Sequence, residues 1–385
     1  MTSVSSSSSR AKSVALSAIS LAGGISLAVI PAATLAIAAR VFTLEESGFI
    51  AVAIMVATFV GQLTFAAIVE SRLSSRTTER RVTFPRWLAV AALLTALLVA
   101  VNYTSAIALC LGLPVLVAAL EVGRGVSVAE RLDVREVWAS AGVGLGALIG
   151  VVSAFSGAAW SLLPLLAGIV IATVVRAFPV AHRASRPERS ATGWVVADVG
   201  ITGIVFPLLN TLILAFLGPA GAVLFTAIST VSGLLAIPLN FLRLRLLKAH
   251  STSDIWVSTG SLGLAVIALL VMEALGFFSL LFGEAWTVQN TLVPLLMACG
   301  WRAASLAPTL PFTALRRMGH ARLVTLLRAA SSVVAFGLAS AALTTGSLVL
   351  IFAALMIAEL LSGVLYEVAR RRIVRLPHVT GARSP

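Results

Sequence analysis

An all-α polytopic membrane protein of about twelve transmembrane helices is the fold class this sequence predicts, and three observations carry the prediction. Of 385 residues, 59% are apolar and only 11% are charged, with a mean hydropathy of +1.04; soluble domains carry about a quarter charged residues. No soluble globule could hide so much apolar surface. The apolar residues also fall into long runs, enough for roughly eleven or twelve spans of ~20 residues. Finally, the net charge of +13 comes from short arginine clusters that punctuate those runs. Position along a membrane normal explains such clusters better than a nucleic-acid-binding face does. Soluble enzymes, disulfide scaffolds and disordered tails are excluded together.

The chain opens on a serine-rich tail, 1–12, expected to be disordered and cytoplasmic. The run Ser13–Ala39 is too long for the apolar region of a signal peptide and forms span one. Eleven further spans follow: Gly48–Ser71, Trp87–Tyr103, Ser105–Glu121, Val137–Phe155, Gly157–Val175, Trp194–Leu217, Gly221–Leu242, Ile255–Phe282, Thr287–Ala314, Leu323–Leu343 and Ser347–Val368. An even number of spans places both termini on one side. With that side cytoplasmic, all but two of the 28 Lys and Arg lie at cytoplasmic ends or loops; the exceptions are Arg40, at an outer end, and Arg302, inside span ten. Six of the seven tryptophans mark expected interfaces: Trp87, Trp138, Trp194 and Trp256 inner, Trp160 and Trp286 outer.

Gly48 opens span two and Arg72 closes it; Gly221 and Arg245 repeat that spacing in span eight. A parallel repeat of two six-helix bundles follows. It gives an N-terminal lobe at 13–177, a cytoplasmic connection at 178–193, a C-terminal lobe at 194–368 and a basic cytoplasmic tail at 369–385.

No catalytic constellation is present. The sequence lacks a Walker-type loop, HExxH and GxSxG, and predicts neither an enzyme nor a resident cofactor. Cys110 and Cys299 stand alone in apolar segments, and the four histidines form no metal-ligand cluster. The informative residues are charges within spans, each costing roughly 2.5–3.5 kcal/mol at a bilayer centre. Arg302 lies about fifteen residues into span ten, too deep for easy snorkelling. Ser305, Thr309 and Thr313 follow it as one polar stripe, and Pro308 and Pro311 should bend the helix. A buried guanidinium suits phosphate or carboxylate recognition; a structural ion pair with Glu273 or Glu359 is the competing reading. Asp198, Glu273 and Glu359 are the candidate ion-coupling residues. For Asp198 the plainer reading is capping or snorkelling near the interface, and for the two glutamates a structural pair. The stripe Thr226, Ser229, Thr230, Gly233 and Asn240 of span eight reads as helix packing before cavity lining.

The junction Arg40-Val-Phe-Thr-Leu-Glu-Glu-Ser-Gly48 resembles the outer turn that opens the second span in polysaccharide flippases. These are the O-antigen-type, lipid-linked oligosaccharide branch of the multidrug/oligosaccharidyl-lipid/polysaccharide (MOP) exporter superfamily. Phe42 and Ser47 replace that branch's commoner Leu and Phe. The turns Leu217-Gly-Pro-Ala-Gly-Ala-Val and Phe282-Gly-Glu-Ala-Trp286 are similar to later junctions of those proteins. The resemblance implies two six-helix bundles of the MATE/MOP kind around a cationic cavity. It further implies transport of a polyprenyl-diphosphate-linked oligosaccharide from the cytoplasmic to the outer leaflet by alternating access. Arg40 and Arg302, with Ser305 and Thr309, become the candidate substrate-binding residues. The expected partners are the lipid-linked glycan, the bilayer and glycan polymerases or glycosyltransferases, in a bacterial plasma membrane, with no nucleic acid. An ion-coupled multidrug or metabolite antiporter of the same fold is the alternative. A non-transporting scaffold for glycan assembly, recruiting wall enzymes through its basic loops, is a third reading.

Overall fold

The structure is a computed structural model. It describes residues 29–73, 81–179, 189–236, 239, 252–283, 286, 288–318 and 320–375. Every one of the twelve sequence-predicted spans falls on helix within these residues. Span one is described from Val29 as α1, Val29–Val41. Its glycines 23 and 24, like Asn240 of the span-eight stripe and the tail at 1–12, lie outside the described residues. The described residues contain no strand.

The junction between spans one and two has a local physical basis. Thr43 caps α2 (Leu44–Phe65) in a reciprocal capping box: its hydroxyl accepts from the Glu46 N–H, and the Glu46 carboxylate accepts from the Thr43 N–H at 2.9 Å. Ser47 donates back to the Ala38 carbonyl of α1 at 3.2 Å, fixing the angle between the two helices. The helix continues through a π-helical turn, Ala66–Glu70, to Leu73. Helices α3 (Arg86–Val101), α4 (Ala106–Ala129), α5 (Asp133–Phe155) and α6 (Leu162–Ala177) follow. The α5–α6 connection reverses at Gly157, whose φ of 70° is one that glycine adopts without strain.

Helix α7 (Arg189–Gly203) and the first half of α8 (Val205–Gly233) form span seven, and the second half of α8 forms span eight. The expected outer turn falls at Gly218, whose φ of 74° and ψ of −175° leave the helix, and Pro219 follows; Asn210 and Thr226, on either side of it, hydrogen-bond at 2.8 Å, so the two arms fold back on each other. Helix α9 covers Thr252–Ala274, and the six-residue α10 covers Phe277–Phe282. Span ten is broken in two, α11 (Val288–Ala304) and α12 (Leu306–Arg317). The break at Ser305 has a direct cause: Pro308 has no N–H to give the Ala304 carbonyl four residues earlier, so the helix ends there. Helices α13 (Ala321–Leu343) and α14 (Leu348–Arg375) close the chain.

Two compact units result. One comprises the described residues within Met1–Leu234 and Gly276–Val288; the other comprises those within Leu235–Leu275 and Gln289–Pro385. The first unit therefore keeps α7 and α8, because α2 packs along both of them as well as along α4. The two repeat openings meet there. A Cβ on Gly48 would come within 2.8 Å of the Pro219 side chain. Thr226 donates to the Ala51 carbonyl of α2 at 3.3 Å and accepts from Asn210 at 2.8 Å. Thr226 and Ser229 are buried, in keeping with the packing reading of their stripe. In the second unit α14 packs on α13 and α12.

Five tryptophans, Trp87, Trp138, Trp160, Trp194 and Trp256, are exposed, as a headgroup belt requires. Trp286 corrects the interface reading. It is 1% exposed and wedged between Phe278 and Phe282, with ring centroids 5.6 and 5.2 Å away. It serves as core packing for α10.

Candidate substrate and ion sites

Arg302 sits in the last turn of α11, just before the Ser305 break. Its guanidinium carbon lies 3.9 Å from the centroid of the Trp301 ring, which is itself buried and packed against Phe352. The Arg302 Nε is buried and has no hydrogen-bond partner. Its counter-charge is Glu359 of α14, whose carboxylate lies in hydrogen-bonding reach of the Ser305 hydroxyl and the Trp301 indole N–H. Arg328 of α13 acts on the same carboxylate. Gly363, one turn beyond Glu359, lets α14 approach the break: a Cβ there would lie 2.8 Å from the Ala307 Cβ and 3.2 Å from the Pro308 nitrogen. The broken helix and the glycine thus bring Glu359 and Arg302 to one face. Of the two predicted partners for Arg302, the structure selects Glu359.

The rest of the predicted stripe faces inward upon its own helix. Ser305 donates to the Trp301 carbonyl at 3.4 Å and Thr309 to the Ser305 carbonyl at 2.6 Å, and Thr313 is buried. Such back-bonding satisfies hydroxyls at a helix bend.

Glu273 lies apart from Arg302's cluster. It is wholly buried in α9 and accepts a short hydrogen bond from Thr291 of α11. Asp198 belongs to the first unit, in α7, and is 5% exposed. It is thus sequestered in protein and does not snorkel. Thr202, one turn further along α7, donates to the Asp198 carbonyl at 2.9 Å.

Arg40 ends α1 and spends its donors on carbonyls: Ala36 at 3.0 Å, Leu281 at 2.5 Å, and Leu280 in a shorter contact. Leu280 and Leu281 belong to the C-terminal turn of α10, where helix carbonyls lack partners and a cation is favoured. The guanidinium also lies 4.1 Å from the Phe155 ring centroid. Arg40 therefore ties α1, α5 and α10 together.

One charge cluster escaped the sequence reading. Glu136 of α5 and Arg176 of α6 form a bidentate pair, with Nε–Oε2 at 3.0 Å and Nη2–Oε1 at 2.5 Å; their side chains are 3% and 0% exposed. Arg176 also donates to the Leu120 carbonyl at 3.4 Å, and Ser140 donates to Glu136 at 3.2 Å. Glu121 and Arg124 of α4 complete the group. Gly123 makes room for it, because a Cβ there would meet the Arg176 Cδ at 2.8 Å. The signal was present in the acids: Glu121 and Glu136 are unusual so close to apolar runs. Arg328 was also missed as an intrahelical charge, although it stands two turns into α13.

The described residues contain no group of three or more His, Cys, Asp or Glu able to hold a metal. Among the described residues seven helical segments are long and apolar enough to cross a membrane; the 42-residue Thr192–Gly233 segment counts as one of them although it folds back at Gly218, and shorter apolar helices add to these. The arrangement defines a multi-pass, all-helical membrane protein with the twelve-helix MATE fold.

That fold rests on solved structures. Over 94% of its length the chain matches MATE in complex with MaL6, covering 96% of that chain with a TM-score of 0.56 and 14% identity. MATE in the bent conformation matches with 94% of both chains covered, a TM-score of 0.53 and 14% identity. A point mutant of the Vibrio cholerae MATE transporter VcmN matches with a TM-score of 0.54 and 13% identity, covering 94% of this chain and 96% of that one. No protein-family model and no curated protein matches the sequence.

Proposed function

We propose that the chain is a membrane transporter working by alternating access, and that it carries a polyprenyl-diphosphate-linked oligosaccharide from the cytoplasmic to the outer leaflet. The shared MATE fold supports the first part. One observation carries the second: Arg302 holds a buried, unpartnered N–H deep in an apolar helix, with its charge balanced at a distance by Glu359. A guanidinium in that state suits an incoming phosphate oxygen. Ser305 and Thr309 line the same break. Arg40, whose donors are taken by carbonyls, contributes to the architecture around α10. The clustering of arginine supports cytoplasmic termini, and the membrane this cargo implies is a bacterial plasma membrane. Glycan polymerases or glycosyltransferases are the partners this cargo would require.

The test is deletion of the gene in its host, measuring lipid-linked oligosaccharide in the membrane and glycan at the surface. Precursor should accumulate while surface glycan falls, and a copy carrying Arg302→Ala should fail to reverse this at unchanged abundance. Unchanged glycan in the deletion would defeat the reading. A second reading, an ion-coupled antiporter of cationic compounds, is favoured by the burial of Glu273 and Asp198. It predicts altered sensitivity to cationic drugs and sensitivity to Glu273→Gln, with glycan untouched.

A further inference from the structure

The charges around Glu359 come from three helices of the second unit. Arg302 of α11 and Arg328 of α13 act on the carboxylate, while Trp301 and Ser305 are within hydrogen-bonding reach of it. Several other ionisable groups of the packed elements have contacts of their own. Arg316 of α12 and Arg328 both lie over the Phe312 ring, 4.9 and 5.2 Å from its centroid, but of the two only Arg328 acts on Glu359. On α14, Glu367 pairs with Arg370 and Arg371 at 2.7 Å. Glu273 of α9 holds Thr291. Cys299 stands beside Arg302 as a thiol.

Two guanidiniums and one carboxylate leave this cluster one positive charge in excess. A dianion entering it would turn the excess to one negative charge, and an uncompensated charge at this depth is costly. One proton on Glu359 restores neutrality.

We propose that cargo binding at Arg302 is an exchange: the diphosphate replaces Glu359 as the counter-charge of Arg302, and Glu359 takes one proton from solution. The buried Nε of Arg302 has no partner to surrender, so it is ready for an oxygen of the anion. Glu359 has no bond to Arg302 to break, since the two are coupled through space. Protonated, it still meets Ser305, whose hydroxyl can accept from it as readily as donate. The only covalent change is an O–H bond formed on the Glu359 carboxyl, its proton supplied by buffer and returned on release. This inference rests on the anionic cargo proposed above.

The experiment is calorimetric titration of the full chain in detergent with farnesyl-diphospho-N-acetylglucosamine, a diphosphate diester whose two negative charges do not titrate near neutrality. Repeating it in buffers of different ionisation enthalpy counts the protons. About one proton should be taken up per ligand, and affinity should weaken up to about tenfold per pH unit where unliganded Glu359 is ionised. Glu359→Gln should bind the probe with no proton uptake and a flat pH profile. Wild-type binding without uptake, or undiminished uptake in Glu359→Gln, would overturn the exchange. If Glu359→Gln does not fold, the wild-type proton count and pH profile decide alone. No binding by the wild type would overturn the cargo reading, and the exchange with it.

Discussion

Glu136 and Arg176 in the first unit satisfy each other directly, through a bidentate bond with both side chains sealed from solvent. Arg302 and Glu359 in the second unit are also opposite charges inside helices, yet Arg302 keeps a buried N–H without a partner. Glu359 meets a tryptophan and a serine in its place. A closed pair has nothing left to offer a ligand, and its desolvation is repaid only while both members stay. An open pair retains donor capacity at the expense of stability. The same residue types therefore hold helices together in one unit and present a site in the other.

The largest way to break this contrast is to open the closed pair. Arg176→Met should destabilise the protein by about 3–5 kcal/mol, because it strands a buried carboxylate. Thermal unfolding in detergent checks this, and Arg176→Met with Glu136→Leu should recover most of the loss. The converse substitution in the open cluster, Arg302→Ala, should cost clearly less in unfolding, because Glu359 keeps Arg328, Trp301 and Ser305, while weakening diphosphate binding. Loss of hydrogen bonds to a charged group is worth about 1.5–3 kcal/mol, so affinity should fall roughly 10- to 150-fold. Equal stability losses for the two arginine variants would erase the distinction.

Gly363→Ala sharpens the comparison by geometry. Its Cβ would press on backbone atoms of Ala307 and Pro308, separating α14 from the break at a cost of about 1–3 kcal/mol. Affinity for the diphosphate probe should fall with it, since Glu359 and Arg302 would part. The smallest effect belongs to Arg40→Ala. Losing a cation at the end of α10 should cost about 0.3–1 kcal/mol, visible as a small drop in midpoint temperature with affinity for the probe intact. A large affinity loss there would return Arg40 to the substrate site.

Much of the fold was legible because membrane helices announce themselves locally. Each predicted span carries helix. The break in span ten was readable from Pro308 and Pro311, although it falls at Ser305, where the missing amide of Pro308 is felt. The capping box Thr43-x-x-Glu46 was also open to inspection, yet it entered only through the family-like junction. The reversal at Gly218 was legible too: a Gly-Pro-Ala-Gly sequence reads as a turn, and the bond between Asn210 and Thr226 lays its two arms side by side. Trp286 misled, since aromatic rings mark headgroups and cores alike.

The site was half legible. Arg302 stood out because a guanidinium in mid-span demands a reason, and Glu359 stood out as a carboxylate in the same position. The sequence by itself thus determined that the protein lives in a bilayer, where its helices lie and which charges are anomalous. Each of those facts is a property of some twenty consecutive residues. Only the tertiary structure decided which anomalous charges meet. Glu136 bonds to Arg176 across 40 positions, and Glu359 reaches Arg302 through a proline break and a glycine on another helix. Partnership between charges depends on which helix faces touch, and hydropathy along a single chain does not encode that.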